Sequence, residues 1–290
     1  MSSGDGALLA RKTWRTLEPL HGMIYFVPEA AEEYAALGVM GRDGYFASRA
    51  APMGPVSAEV AIATFFNFNP ELIRHALPRA WQRASPEDLV AARLRVVDRS
   101  YRRLLGEEVV ASPEMRQAAE LARRAAEVAR ARPDGRALCA GHARLPWPEE
   151  PHLVLWHAQS ILREYRGDGH VALLVTHGLA GIDALITHAS EGAVAAQLLQ
   201  STRGWSDPSW HEAVESMRAR GWLERGDPLT FSEWGAAQRG EIEEQTDVLA
   251  ADPYLFLGED DCAELRRLAR PWSRTLSEGT VFRLPEGIGG

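Results

Sequence analysis

Lysine is nearly missing. Lys12 is the only one in 290 residues, so almost all of the 32 basic side chains are arginine, and 40 Asp and Glu leave a formal net charge of −8. Proteins that hold nucleic acid usually carry a basic excess, because neutralising phosphates and releasing counterions supplies most of the affinity. An acidic chain is therefore confined to DNA contact through a local basic patch. Cysteine is also scarce: Cys139 and Cys262 make no disulfide framework, which points to a reducing cytoplasm. No apolar run approaches the ~20 residues needed to span a bilayer, and no signal-peptide pattern opens the chain. HExxH, CxxC and clustered metal-ligating carboxylates are lacking, as are a Gly-rich phosphate loop and GxSxG. The Gln-x-Gln and Gln-x-Asp signatures of tandem winged-helix glycosylases are lacking too. What remains is a soluble globular chain long enough for one large domain or two ordinary ones.

The most organised stretch runs from Ala193 to Trp234. An apolar helix over Ala193–Leu199 is broken by Ser201-Thr202-Arg203-Gly204-Trp205. Ser206 or Asp207 caps the next helix, with Pro208 at an early position that needs no donor. Trp210, Ala213, Val214 and Met217 recur at helical spacing, and Gly221 is placed to end the helix. Trp222-Leu223 and Leu229-Thr230-Phe231 flank a turn as two short strands. This is the grammar of a winged helix.

Elsewhere the pattern predicts helices almost throughout, after a disordered start over Met1–Gly6. They cover Ala7–Leu20, Pro28–Leu37, Ser57–Phe66, Glu71–Trp81, Leu89–Leu105 and a segment from Ser112 to about Arg130. Gly41–Pro55, rich in glycine and proline, reads as a long connection. The stretch 133–151, with four prolines, reads as an extended linker. His152–Tyr165 is helical, Arg166-Gly167-Asp168-Gly169 breaks the helix, and His170–Ala189 resumes it. Phe231–Ala251 and Gly258–Leu276 close the chain.

The two halves read as a repeat. Leu20-His21-Gly22-Met23 pairs with Thr176-His177-Gly178-Leu179, and Asn69-Pro70 with Asp207-Pro208. Arg79-Ala80-Trp81 pairs with Arg220-Gly221-Trp222, and Leu104-Leu105-Gly106-Glu107-Glu108 with Phe256-Leu257-Gly258-Glu259-Asp260. The expected fold is mainly α, with two winged-helix-like repeats (7–132 and 152–280) joined by the linker 133–151 and minimal β in the wings. The repeats would be related by an approximate two-fold axis, as in a fused dimer.

The segment SWHEAVESMRARGWLERGDPLTFSEWG and the helix after it resemble the winged-helix region of MarR-type proteins. Through HLVLWHAQSILREYRGDGHVALLVTHGLAG, the whole chain resembles an actinobacterial family of helical proteins with a MarR-related domain. The resemblance implies a dimer-like arrangement, a ligand pocket between helices and DNA-binding lobes, and sensing or DNA binding.

The expected recognition helix departs from that pattern. Glu212 and Glu215 occupy positions where donors to DNA belong, and the wing carries Glu224 and Asp227. The reading preferred from sequence is therefore a protein, monomeric or homodimeric, that binds a small apolar or aromatic molecule between its halves. His21, Tyr25, Phe65, Trp156, Asp168, His170 and His177 would line the pocket. Two glycines around Asp168 suggest a capped turn before His170. The alternative is a MarR-like regulator with Arg218, Arg220 and Arg225 on phosphates. A third is an enzyme on the same scaffold, with haem or metal at His21 or His177.

Overall fold

The computed structural model describes residues 3–280, which form sixteen α-helices with two short 3-10 turns. In order they are α1 (Ser3–Gly22), α2 (Pro28–Ala36), α3 (Gly41–Ala50), α4 (Ala58–Phe65), α5 (Pro70–Ala80), α6 (Pro86–Leu105), α7 (Glu107–Val110) and α8 (Pro113–Ala131). There follow α9 (Ala137–Ala143), α10 (Pro151–Thr176), α11 (Gly181–Ser190), α12 (Ala196–Arg203), α13 (Asp207–Ala219), α14 (Glu233–Leu249), α15 (Asp252–Leu257) and α16 (Glu259–Gly279). The β structure among the described residues is a single antiparallel bridge, Leu223 to Phe231, at the base of the turn after α13. No single helix there is long and apolar enough to cross a membrane.

Local chemistry sets most helix starts. The side chains of Ser57, Asn69, Ser85, Ser112, Ser206 and Ser232 each accept a backbone N–H of the helix they precede. Each removes one donor that helix geometry leaves orphaned. Ser85 and Asp88 complete a reciprocal capping box at the head of α6.

Two cores organise the packing. The larger draws on α1, α6, α8, the first part of α10, and α15–α16, so residues 9–165 and 251–276 share it. The buried stripe of α8 is mostly alanine (Ala118, Ala119, Ala122, Ala125, Ala126, Ala129), which brings its backbone close to α10. The smaller core joins Leu174, Leu179, Leu185 and Ile186 to Trp210, Val214, Met217, Trp222 and Ile242. α10 runs from one core to the other, and α14 leads from the smaller core to the side of α1 and α10. An ionic clasp ties α10 and α14 to α1. Arg166 donates to Glu243 at 3.0 Å and to Asp247 at 3.2 Å, while Arg11 also pairs with Asp247.

Several expectations are corrected. Gly41–Ala50 is a helix, not a connection: Gly44 lies against Tyr34 and the carbonyl of Val39, where a Cβ would come within 3.2 and 3.0 Å. Its glycine answers a close packing contact rather than a turn. The run 166–169 does not break the chain but lies inside α10, and a Cβ on Gly169 would stand 3.7 Å from Leu249 of α14. The break falls later, at His177 and left-handed Gly178. The stretch 133–151 holds α9, whose Gly141 abuts Pro52 and Met53 so closely that a Cβ would lie 2.9–3.0 Å from them. Of the start expected to be disordered, residues 3–6 belong to α1, and Met1 and Ser2 lie outside the described residues.

Candidate functional site

α12, the turn at Gly204–Ser206 and α13 form a helix-turn-helix. Gly204 is left-handed (φ 73), so the chain reverses without strain. Trp210, Ala213, Val214 and Met217 bury one face of α13, and His211, Glu212, Glu215, Ser216 and Ala219 are exposed on the other. From Ser206 to Ser232 five carboxylates face three arginines.

Those arginines differ in what holds them. Arg218 donates to the carbonyls of Glu224 and Gly226 and to Glu215 at 2.7 Å, so it fastens the turn over 224–230 to α13. Arg220 donates to Asp183 and to the carbonyl of Gly178, both at 2.8 Å, and braces the α10–α11 corner. Arg225 is exposed in the turn after α13, and among the described residues it has neither kind of tether. An open groove of about 770 Å³ runs along the wing side of α13, between Trp210, His211, Val214, Pro228 and Leu229.

A short turn also joins α4 to α5, and it meets the turn between α12 and α13. The backbone N–H of Asn69 donates to Arg203 and its amide to Gly204, both at 2.9 Å; Trp205 Nε1 donates to Asn67 at 3.0 Å. Phe66, held at φ 55, places its carbonyl where a Cβ on Gly181 would lie 2.0 Å away. The amino ends of α5 and α13 therefore adjoin. The exposed cations of α5 are also engaged: Arg74 pairs with Glu71 and Glu59, and Arg79 with Asp43.

The seven residues expected to line one pocket divide into separate places. His21, Tyr25, Phe65 and Trp156 belong to an aromatic cluster of the larger core. His21 is bonded through Nδ1 to Ser160 at 2.8 Å and through Nε2 to Tyr25 at 3.0 Å, and its ring stacks on Trp156 at 5.4 Å. Phe65 stacks on Phe46, with the Arg49 guanidinium 4.4 Å over its ring. Asp168 instead caps α9, accepting the backbone N–H of Leu138 at 3.0 Å and of Cys139 at 2.9 Å. Burial pushes its carboxyl up to about 6 against the pull of those two bonds. His170 bonds Thr246 of α14 at 2.9 Å, and burial, opposed by Glu243, pushes its imidazole down to about 4.

His177 caps the end of α10, seventeen residues beyond Ser160 and so ~25 Å along the axis from the His21 contact. The two histidines therefore do not meet. Their neighbours differ as well, since Gly22 is right-handed (φ −63) and Gly178 left-handed (φ 68). Both ring nitrogens of His21 are engaged, which leaves none for a haem iron or a metal. Among the described residues no group of three or more His, Cys, Asp or Glu could hold a metal ion.

Sequence reading overlooked one group of residues. Arg93, His142 and His157 gather with Trp156 around a small cavity under the segment from Leu145 to Pro148. Arg93 follows Leu89 by four residues and precedes Val97 by four, so its place on the apolar stripe of α6 is visible in the helical period.

A helix-turn-helix family matches the chain over residues 10–283. No curated protein and no solved structure matches it.

Proposed function

The chain belongs to the helix-turn-helix family, and from that premise we propose that it is a regulator-like protein that contacts duplex DNA with α13 and the adjoining wing as a single reading unit. The carrying observation is the helix-turn-helix of α12 and α13, with a polar outer face and a free arginine at the wing tip. A single unit is favoured over a pair because two recognition helices reading successive major grooves need centres ~34 Å apart. Here the turns that start α5 and α13 touch at 2.9 Å. Ser209, His211, Ser216 and Arg225 are the donors available to bases and phosphates.

With carboxylates in excess on this face, few phosphates are neutralised, and the salt dependence is shallow. Fluorescence anisotropy with duplexes drawn from the region upstream of the coding sequence, at low and physiological salt, tests the reading. Binding with a shallow slope supports it; no binding to any duplex at low salt overturns it.

The fused-dimer architecture belongs to the same proposal, in a revised register. Gly38 and Gly178 are both left-handed, each is followed five residues later by an aspartate, and Arg79 and Arg220 pair with those aspartates at 2.9 and 2.8 Å. The order of α3–α8 recurs in α11–α16. These matched braces support two copies related to MarR-type lobes, with their turns packed together.

A further inference from the structure

Arg93 is 2% exposed, and among the described residues no carboxylate pairs with it. One guanidinium nitrogen donates to the carbonyl of Ser48 at 3.3 Å, the plane lies 5.2 Å over Trp156, and Nε has no partner. A buried cation without a counter-charge is costly. Around it the same condition recurs: His142 Nδ1, Trp156 Nε1 and His157 Nε2 are buried without partners, and each of these residues is 2% exposed. All four residues wall one cavity of about 60 Å³, whose other walls are Pro52, Val90, Leu94, Leu145, Pro146 and Pro148. Native interiors rarely leave such groups unmatched, and four unmatched groups on one cavity describe the complement of something that accepts hydrogen bonds.

We infer that this cavity binds a small organic monocarboxylate, with its oxygens on Arg93, Trp156 Nε1 and the two imidazoles, and its short apolar tail against Leu145, Pro146 and Pro148. Guanidinium and carboxylate match in shape and charge. The charge available is one. Burial, then Arg93 at His142 and Arg130 followed by Arg93 at His157, holds both imidazoles neutral, His142 well below its ordinary value and His157 at about 4. Arg130 is itself paired with Glu127, so a monoanion balances the site and a phosphate dianion does not. The apolar walls favour an organic acid over an inorganic anion. On a measure by which a water needs ~10–15 Å³, the cavity has room for about four or five non-hydrogen atoms, the size of acetate or propionate. The site is separate from α13 and does not depend on DNA contact.

The test uses the full chain, titrated with sodium acetate, propionate and butyrate against sodium chloride at equal ionic strength, with inorganic phosphate as a separate arm. Thermal unfolding and the Trp156 indole N–H resonance, assigned with Trp156→Phe, are read together. The expected result is a saturable resonance shift and a rising midpoint for acetate or propionate, both at least tenfold weaker in Arg93→Met. The unliganded midpoint of Arg93→Met is expected to be no lower than that of the parent protein, because an uncompensated charge has been removed. Should that variant not fold, His157→Phe removes one donor, and a weakened titration there supports the site. No saturable shift with any carboxylate, a response matched by chloride, a response to phosphate alone, or an unchanged titration in the variant that folds would overturn it.

Discussion

Arg220 donates to Asp183 across 2.8 Å, and this pair fixes how α13 sits against the corner between α10 and α11. A second bond from the same guanidinium reaches the carbonyl of left-handed Gly178. At the start of α3 two arginines do comparable work, Arg79 holding Asp43 and Arg83 holding the carbonyl of Gly38. An arginine that the alternative sequence reading offers to a DNA phosphate thus also braces the α10–α11 corner.

Arg220→Ala and Arg225→Ala should therefore separate. The first is expected to lower stability by about 1–2 kcal/mol, since the largely buried Asp183 loses its cation and keeps only the Ala180 N–H. The second is expected to leave stability within about 0.5 kcal/mol while reducing the salt slope of DNA binding by about 1. Urea denaturation and anisotropy on both variants check this.

Asp247 has only 4% of its side chain exposed and holds both Arg11 and Arg166. Asp247→Asn leaves Arg166, itself largely buried, with Glu243 as its remaining counter-charge, and takes from Arg11 its close partner where α1, α10 and α14 join. A loss of about 1–3 kcal/mol is expected, the range for losing hydrogen bonds to a charged group while a second carboxylate stays in place. The denaturation midpoint should fall with the slope unchanged.

Gly181→Ala and Gly240→Ala make a matched pair. At 181 a Cβ would lie 2.0 Å from the carbonyl of Phe66, whereas at 240 nothing lies within 4 Å. The first substitution forces the turn between α4 and α5 away from the start of α11 and is expected to be strongly destabilising. The second, exposed within α14, is expected to stabilise by about 0.5–1 kcal/mol through helix propensity. Thermal midpoints should move in opposite directions.

Stability should depend on pH in a direction set by the buried imidazoles. Burial lowers His157 and His170 from 6.5 to about 4, and lowers His21, His142 and His152 as well. As pH falls below 6.5 the unfolded chain takes up protons that these native imidazoles refuse, so stability is lost until about pH 4, where His157 and His170 also protonate. Asp168 opposes this: its native carboxyl, raised from 3.8 to about 6, keeps a proton that the unfolded chain releases, so its contribution fades as pH rises through that window. Five imidazoles outweigh one carboxyl, and the urea midpoint should drop between about pH 7 and about pH 4.5. A midpoint that rises over that range would contradict the burial of these histidines.

The sequence by itself determined the helical class, most helix starts and the helix-turn-helix at α12–α13, because caps and helical periodicity act within a few residues of chain. Ser57, Ser85, Ser112 and Ser206 announce their helices wherever those helices pack. Tertiary structure alone decided what the ambiguous residues do. Gly44 and Gly169 look like turn formers, yet they serve helix contacts with Tyr34 and Leu249, partners ten and eighty residues away. Asp168 caps a helix thirty residues earlier, and His21 and His177 are kept apart by the length of α10. Arg93 lies on an apolar stripe where an arginine usually stretches out to solvent. Only the packing of α9 and α10 over it removed the water and left its charge facing a cavity. Caps depend on neighbours along the chain, whereas charge compensation and close approach depend on what long-range packing brings near.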